Sequence, residues 1–285
     1  MVSSSTPAGD SIPSSEHWLN LNGARLRYLA EGTGPPLVLL HGLVAYSFSW
    51  RFVIVPLAER FRVYALDMLG KGFSDCPARL EFGLRAEAER LLRILDVLQI
   101  SSCDLVATSY GGATAMLAAS FAPKRISRLV LVAPVNPWSA HGKVMAPFLS
   151  NPVISWIFLR LFPHLHASQG YFLRRLFGAS PRVPSDSAAG YAAALRRPGV
   201  LQHALKTIHG WNRDLRSLEE ALPAIEHIPV LFVWGKEDKA VSIESAAPLR
   251  ERFQNSHMVT FEGVGHLPYE ESPEELTRAI LEFLC

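Results

Sequence analysis

Six short runs of this chain are apolar at almost every position: LVLLH (37–41), FRVYALD (61–67), DLVATS (104–109), RLVLVAP (128–134), PVLFVWG (229–235) and HMVTFEG (257–263). A strand with one wet face alternates apolar and polar residues, whereas a run without that alternation is buried on both faces, as in a parallel sheet covered by helices. Helix-length segments separate most of the runs. In 84–98, Leu84, Ala88, Leu91, Leu92, Leu95 and Leu98 recur at steps of three and four, one stripe of an amphipathic helix. The alternation predicts an α/β fold with a mostly parallel central sheet flanked by helices. Ahead of it, HWLNL and ARLRYLA flank Asn22-Gly23, a two-residue hairpin signal.

One interval breaks the rhythm. From Val135 to Leu215 no run reads as a buried strand, and the segment is rich in aromatics, Pro and Arg, with helical patches at 153–162 and 170–177. A structureless loop of that length is improbable, so the segment is expected to be a helical cap seated on the sheet. The organisation that follows is a disordered leader at 1–15, a core formed by 16–134 and 216–285, and a cap at 135–215. The leader is rich in Ser, Pro and Gly and has neither a basic nor an apolar stretch of signal-peptide type.

Lys and Arg number 28 against 26 Asp and Glu, a net charge of +2, which excludes a nucleic-acid binder relying on a general basic excess. Cys76, Cys103 and Cys285 are too few and too scattered for a disulfide framework or a tetrahedral metal site, so they are expected to be reduced thiols. No stretch reaches the roughly 18 apolar residues of a spanning helix, and the expected location is cytoplasmic.

Chemistry concentrates in DLVATSYGG, where an apolar strand meets Ser109 and runs directly into GGATAMLAASFA. A nucleophile elbow needs this pattern: a strained strand-to-helix turn exposes the hydroxyl at the carboxyl end of the sheet, and its neighbours must be small. Ala107, Gly111 and Gly112 supply them, with Ala107 where the G-x-S-x-G pattern has its first glycine. A serine nucleophile needs a base and the base an orienting carboxylate. Asp238 follows PVLFV and His266 follows HMVTF, so the order is Ser109, Asp238, His266, the order expected for elbow chemistry.

The chain resembles the α/β-hydrolase fold superfamily in its capped form, from about Glu16 to Cys285. The resemblance rests on that triad, the His41-Gly42 turn followed by Trp50-Arg51, the run from Asp67 to Ser74, and the WGKED and GVGHLPYEESP blocks. It selects Asp238 over the adjacent Glu237 and implies an oxyanion hole from the backbone N–H groups of Leu43 and Tyr110, whose side chains would shape the pocket. It also implies that family members acting on epoxides or halides carry an Asp where this chain has Ser109. His41 is expected to hold the oxyanion loop by hydrogen bonding, and Asp67 and Ser74 to organise a turn. His164 and His166 share an H-x-H spacing without a third ligand nearby, so neither a metal nor a cofactor is expected.

A serine with an oxyanion hole points to attack on an acyl carbon, and the simplest reaction is ester hydrolysis through an acyl-enzyme. The cap has nine Lys or Arg against Asp186 and Asp214, a surplus of seven, and ten aromatic residues; the remainder of the chain therefore carries a deficit of five. A cleft between such a cap and a sheet suits a medium-sized apolar ester, and two acids are too few to hold the ammonium of a peptide substrate. Other readings stay open: a carbon–carbon bond hydrolase whose anionic dienone a cap Arg could hold, and a non-catalytic ligand-binding module. The basic aromatic cap also suits weak contact with an anionic membrane surface. Oligomeric state is not legible at this level.

Overall fold

Alternate residues of the inner apolar runs bury themselves in opposite layers, which is why those runs show no polar face; HMVTFEG, expected to be buried likewise, forms an edge strand in which His257 and Thr260 are exposed. Val38 and Leu40 enter one core and Leu37 and Leu39 the other; Leu105 and Ala107 oppose Val106, and Phe232 and Trp234 oppose Leu231 and Val233. The computed structural model describes residues 15–161, 171, 173–179, 183–184 and 186–285. The expected leader lies outside them except for Ser15, which opens the first strand.

Eight strands run β1 Ser15–Leu21, β2 Ala24–Glu31, β3 Pro36–Leu40, β4 Arg62–Leu66, β5 Cys103–Thr108, β6 Ile126–Val132, β7 Val230–Gly235 and β8 Ser256–Phe261. Their order across the sheet is β1-β2-β4-β3-β5-β6-β7-β8. The pairs β1/β2 and β2/β4 are antiparallel and the other five parallel. β1 and β2 form the expected hairpin, and both turn residues are left-handed, Asn22 at φ 53° and Gly23 at φ 87°, as a type I′ turn requires.

The helices are α1 Ile54–Ala58, α2 Leu84–Val97, α3 Tyr110–Phe121, α4 Ala140–Leu149, α5 Pro152–Leu161, α6 Ser187–Leu195, α7 Val200–His209, α8 Trp211–Ala221, α9 Ala246–Arg250, α10 Pro268–Glu271 and α11 Pro273–Leu284. Helices α4 to α7 lie in the interval between β6 and β7, where a helical cap was expected. Helix α8 runs unbroken through residue 215, and Trp211, Leu215 and Leu218 bury themselves in the core beneath the sheet, so the insertion merges into the body through a continuous helix.

The cap is seated by buried polar groups as well as by apolar packing. Arg51 forms a double ion pair with Glu270 and also reaches Ser187 Oγ at 2.8 Å, while Tyr191 Oη donates to Glu270 at 2.8 Å. On the other side Lys71 Nζ lies 2.6 Å from Glu87 Oε2, and His203 of α7 approaches the same carboxylate at 3.7 Å. Burial alone would raise the Glu87 carboxyl, but Lys71 and His203 outweigh it and hold it at about 2. Burial pulls the Lys71 ammonium below its ordinary value, with Glu87 opposing.

Replacing Glu87 with Gln leaves the Lys71 ammonium buried without its counter-charge and should lower the unfolding free energy at neutral pH by about 3 kcal/mol. A depressed carboxyl stabilises the fold above its unfolded value and loses that contribution as pH falls through the folded value. The gap between the wild type and Glu87→Gln in urea titrations should therefore close as pH falls from about 4.5 to about 2. A gap that stays constant over that window would show that Glu87 is not ionised in the folded protein.

Candidate active site

Between β5 and α3 the chain reverses at Ser109, whose φ of 54° and ψ of −125° lie in a region that side-chain-bearing residues rarely adopt. The turn is held from both sides. Ser109 N donates to Val132 O at 3.0 Å, and Ser109 O accepts from Gly112 N at 3.0 Å and Val135 N at 2.9 Å. The helix returns so closely that a Cβ on Gly111 would lie 2.4 Å from His41 O and 2.7 Å from Leu40 O. Gly112 meets Pro134 in the same way, at 2.6 Å, and Ala107 is fully buried between β3 and β6. The need for small residues around the serine is thus steric at each position.

Gly42 belongs to the facing loop, where a Cβ would stand 3.3 Å from Ser109 Cβ. That loop is fixed by His41, a fully buried ring bridging two backbone groups. Met68 N donates to its Nε2 at 3.2 Å, so Nδ1 carries the proton and donates to Gly42 O at 2.7 Å. Burial, with the nearby Lys71 ammonium, lowers the His41 imidazole to about 4, which keeps it neutral at physiological pH. Asp67 and Ser74 organise the neighbouring turn: Asp67 accepts from Ser47 N at 2.8 Å and Phe73 N at 2.9 Å, and Ser74 Oγ donates to Asp67 O.

Asp238 follows β7 and His266 follows β8, the two loops in which they were expected. His266 Nδ1 lies 2.7 Å from Asp238 Oδ2, and Asp238 Oδ1 accepts from the backbone N–H groups of Ala240 and Val241 at 2.8 and 2.9 Å. With its Nδ1 proton on a carboxylate, the ring leaves Nε2 free of a proton as an acceptor. Ser109, His266, Gly42 and Leu43 border one cavity of about 220 Å³. Ser109 Oγ has no hydrogen-bond partner among the described residues, in keeping with nucleophile–base contacts that tighten only when substrate arrives.

Leu43 faces that cavity, but the Tyr110 side chain does not shape it as expected. The Tyr110 ring is buried in the body, stacked on Trp211 with centroids 5.6 Å apart, and Trp211 borders the cavity in its place. Tyr110 opens α3, so its N–H is one of the helix's unbonded terminal donors and points out of the N-terminus. Burial pushes the Tyr110 phenol well above its ordinary value. His164 and His166 lie outside the described residues, and among those described no group of three or more His, Cys, Asp or Glu is arranged to hold a metal.

Several residues of the site carry no motif of their own. Leu176 O accepts from His266 N at 2.7 Å, and Glu271 accepts from Gly178 N at 2.8 Å and Gly265 N at 2.9 Å. Through these bonds the cap grips the loop that bears the histidine. Arg51 and Glu270 tie the same loop to α6, with Tyr191 both bonded to Glu270 and exposed on the cavity wall. Their signal was present in the Trp50-Arg51 and PYEESP blocks, but as a pair 219 residues apart they could not be joined by spacing.

The chain is similar to known proteins over most of its length. Residues 35–273 match the family model for the alpha/beta hydrolase fold. A haloalkane dehalogenase of Mycobacterium tuberculosis is 28% identical over 97% of each chain, and a 2-hydroxymuconate semialdehyde hydrolase of a Pseudomonas species is 27% identical over 92% of this chain and 91% of its own. A solved bacterial membrane phospholipase A superposes with a TM-score of 0.76 at 25% identity, covering 96% of this chain and 86% of that one. The matched span takes in β3, the elbow, the Asp238 loop and the His266 loop together, and the chain belongs to the alpha/beta hydrolase family.

Proposed function

We propose that this chain is a serine hydrolase that cleaves carboxylic esters of medium-sized apolar acids through an acyl-enzyme. Family membership makes it a hydrolase, but relatives named for a dehalogenase, a semialdehyde hydrolase and a phospholipase leave the bond to be argued from the site. One observation carries the reading: among the described residues bordering the cavity there is no Lys, Arg, Asp or Glu. Leu43, Val135, Leu173, Leu176, Leu195 and Leu267 surround Ser109 with hydrocarbon, and His266 is the cavity's base. Such a wall favours an uncharged acyl group, whereas an anionic ring-cleavage product would need a cation to replace its water. Ser109 also lacks the carboxylate with which family members displace halide from an alkyl carbon.

In the proposed cycle His266 Nε2 takes the Ser109 proton as Oγ attacks the acyl carbon, and the N–H groups of Leu43 and Tyr110 hold the oxyanion. Asp238 stabilises the imidazolium through Nδ1. The imidazolium then protonates the departing alkoxide, and a water activated by His266 releases the acid and regenerates Ser109. Carbon–carbon cleavage is the second reading, favoured by the semialdehyde hydrolase among the relatives.

Ser109→Ala should lose at least about a thousandfold in kcat and the whole burst of leaving group, with an unchanged circular dichroism spectrum. Undiminished turnover would sink the assignment. In a series of chromogenic esters of rising acyl length, the wild type should give a higher kcat/KM than with a vinylogous diketone; the opposite ranking would establish the carbon–carbon reading.

Ala192, buried on α6, borders the cavity. Ala192→Phe should shift the preferred acyl length downward, costing the longest good ester about tenfold in kcat/KM while an acetate ester is little changed. Equal losses on both would place Ala192 away from the acyl group.

A further inference from the structure

We propose that the outer face of the cap, centred on α5, docks on an anionic lipid bilayer surface. A helix packed on a protein ordinarily turns its apolar stripe inward. In α5, where Ile154, Phe158 and Leu159 are half-buried, a further apolar stripe points outward: Val153, Trp156, Ile157 and Leu161 follow the i, i+3, i+4, i+8 spacing of one helical face and are between 44% and 64% exposed, while Ser155 is buried. Phe148 and Tyr171 add two more exposed rings from the flanking cap segments. Among the described residues, half of the exposed large apolar side chains thus fall within 148–171. An exposed apolar face of this kind marks a contact surface.

Charge selects the occupant. Arg160 occupies the i+7 position of the same stripe, its guanidinium 5.6 Å over the Trp156 ring, and the helix contains no acid. The exposed Arg174 and Arg175 lie between Leu173 and Leu176, which border the active-site cavity. Both acids of the cap are engaged toward the body: Asp214 Oδ2 accepts from Leu84 N at 2.8 Å, and Asp186 Oδ2 meets Arg51 Nε at 3.2 Å. The outer face is therefore apolar and cationic without a compensating carboxylate. A two-fold contact with a second copy would set these arginines against one another, whereas lipid phosphates neutralise them as Trp156 and its neighbours enter the headgroup boundary. No helix among the described residues is long and apolar enough to cross a membrane, so the contact lies in the plane of the surface.

Arg174 and Arg175 are exposed while Leu173 and Leu176 beside them face the cavity, which gives an apolar substrate a short path from the cap surface to Ser109. That last step rests on the ester-hydrolase reading; the docking does not.

The test is sedimentation with vesicles of phosphatidylcholine alone and of phosphatidylcholine mixed with phosphatidylglycerol. The wild type should pellet with the anionic vesicles, less so at high salt. Arg160→Glu should weaken partitioning at least about fivefold, the change expected from about 1 kcal/mol per basic residue at an anionic surface, and Trp156→Ser combined with Ile157→Ser should weaken it at least as much by removing the apolar area that enters the headgroup boundary. Quenching of wild-type tryptophan fluorescence by lipids with brominated chains reads the same contact without a substitution, and circular dichroism of each variant separates lost docking from lost folding. Absence of pelleting together with absence of quenching, or equal pelleting of wild type and folded variants, overturns the proposal. So does a wild type that light scattering shows to be a dimer and these substitutions make monomeric, since the face would then belong to a second copy. Neither reading depends on turnover, so a protein that binds vesicles but cleaves no ester would fail the functional assignment and leave the docking standing.

Discussion

The backbone of Ser109 sits in a conformation that costs of order 1–3 kcal/mol and persists only where its surroundings over-determine it. Here three strands and a helix do so. Val132 O, Gly112 N and Val135 N bind the two faces of the Ser109 peptide groups. Ala133, itself at φ 43°, turns the chain beyond β6 so that Val135 can reach back, while its own N–H is held by Val233 O. The elbow therefore depends on β5, β6 and β7 being in register, and the closeness of α3 to the Leu40 and His41 carbonyls depends on glycine at position 111. Whatever moves the sheet moves the serine, which makes the doubly buried sheet as much a positioning device as a core.

The pieces that meet above the elbow are held by charge and hydrogen bonds in places where apolar packing would also have served. Arg51 with Glu270, and Lys71 with Glu87, are buried pairs, and such pairs contribute less to stability than equally well-packed apolar groups. What they add is direction: a bidentate guanidinium accepts one arrangement of its carboxylate, so α6, the loop after β3 and the segment bearing His266 share a single relative placement. Tyr191 is bonded to that carboxylate while facing the cavity, so the same contact that seats the cap sets part of the substrate wall.

The strands were legible in the sequence because burial on both faces erases the polar alternation, and β5 and β7, buried at every residue, are where that condition is met most fully. The loop carrying Asp238 was legible for the same reason, since it follows such a run directly; the one carrying His266 follows β8, an edge strand that buries Phe261 but exposes His257 and Thr260, and was legible from its apolar residues alone. The stripe of α2 predicted the helix but misassigned its polar side. Glu87 and Arg90 stand at positions that an isolated amphipathic helix gives to water, and both are buried, with Glu87 closed over by His203 of α7. Local periodicity reports one neighbour, the sheet; it has no term for a second layer contributed from more than a hundred residues away. Tyr110 failed similarly, since its position beside the nucleophile suggested a pocket side chain, but the helix turn sends the ring into the body against Trp211.

Charge was the feature whose meaning changed most between composition and structure. A net of +2 excludes a generally basic protein, but it is the sum of an acidic body and a cap with a surplus of seven. The structure separates that surplus further. The cap's two acids and several of its cations, Arg197 on the carbonyls of Gly72 and Ser74 among them, are used in holding cap to body. What is left outside is a helix whose exposed stripe is apolar and whose charge within it is the arginine stacked on Trp156. A helix that must dissolve in water gains nothing from that arrangement, and one that served only as a roof would need apolar residues on its inner side alone, where Ile154 and Leu159 are half-buried. The arrangement makes sense if a surface other than water lies against the helix.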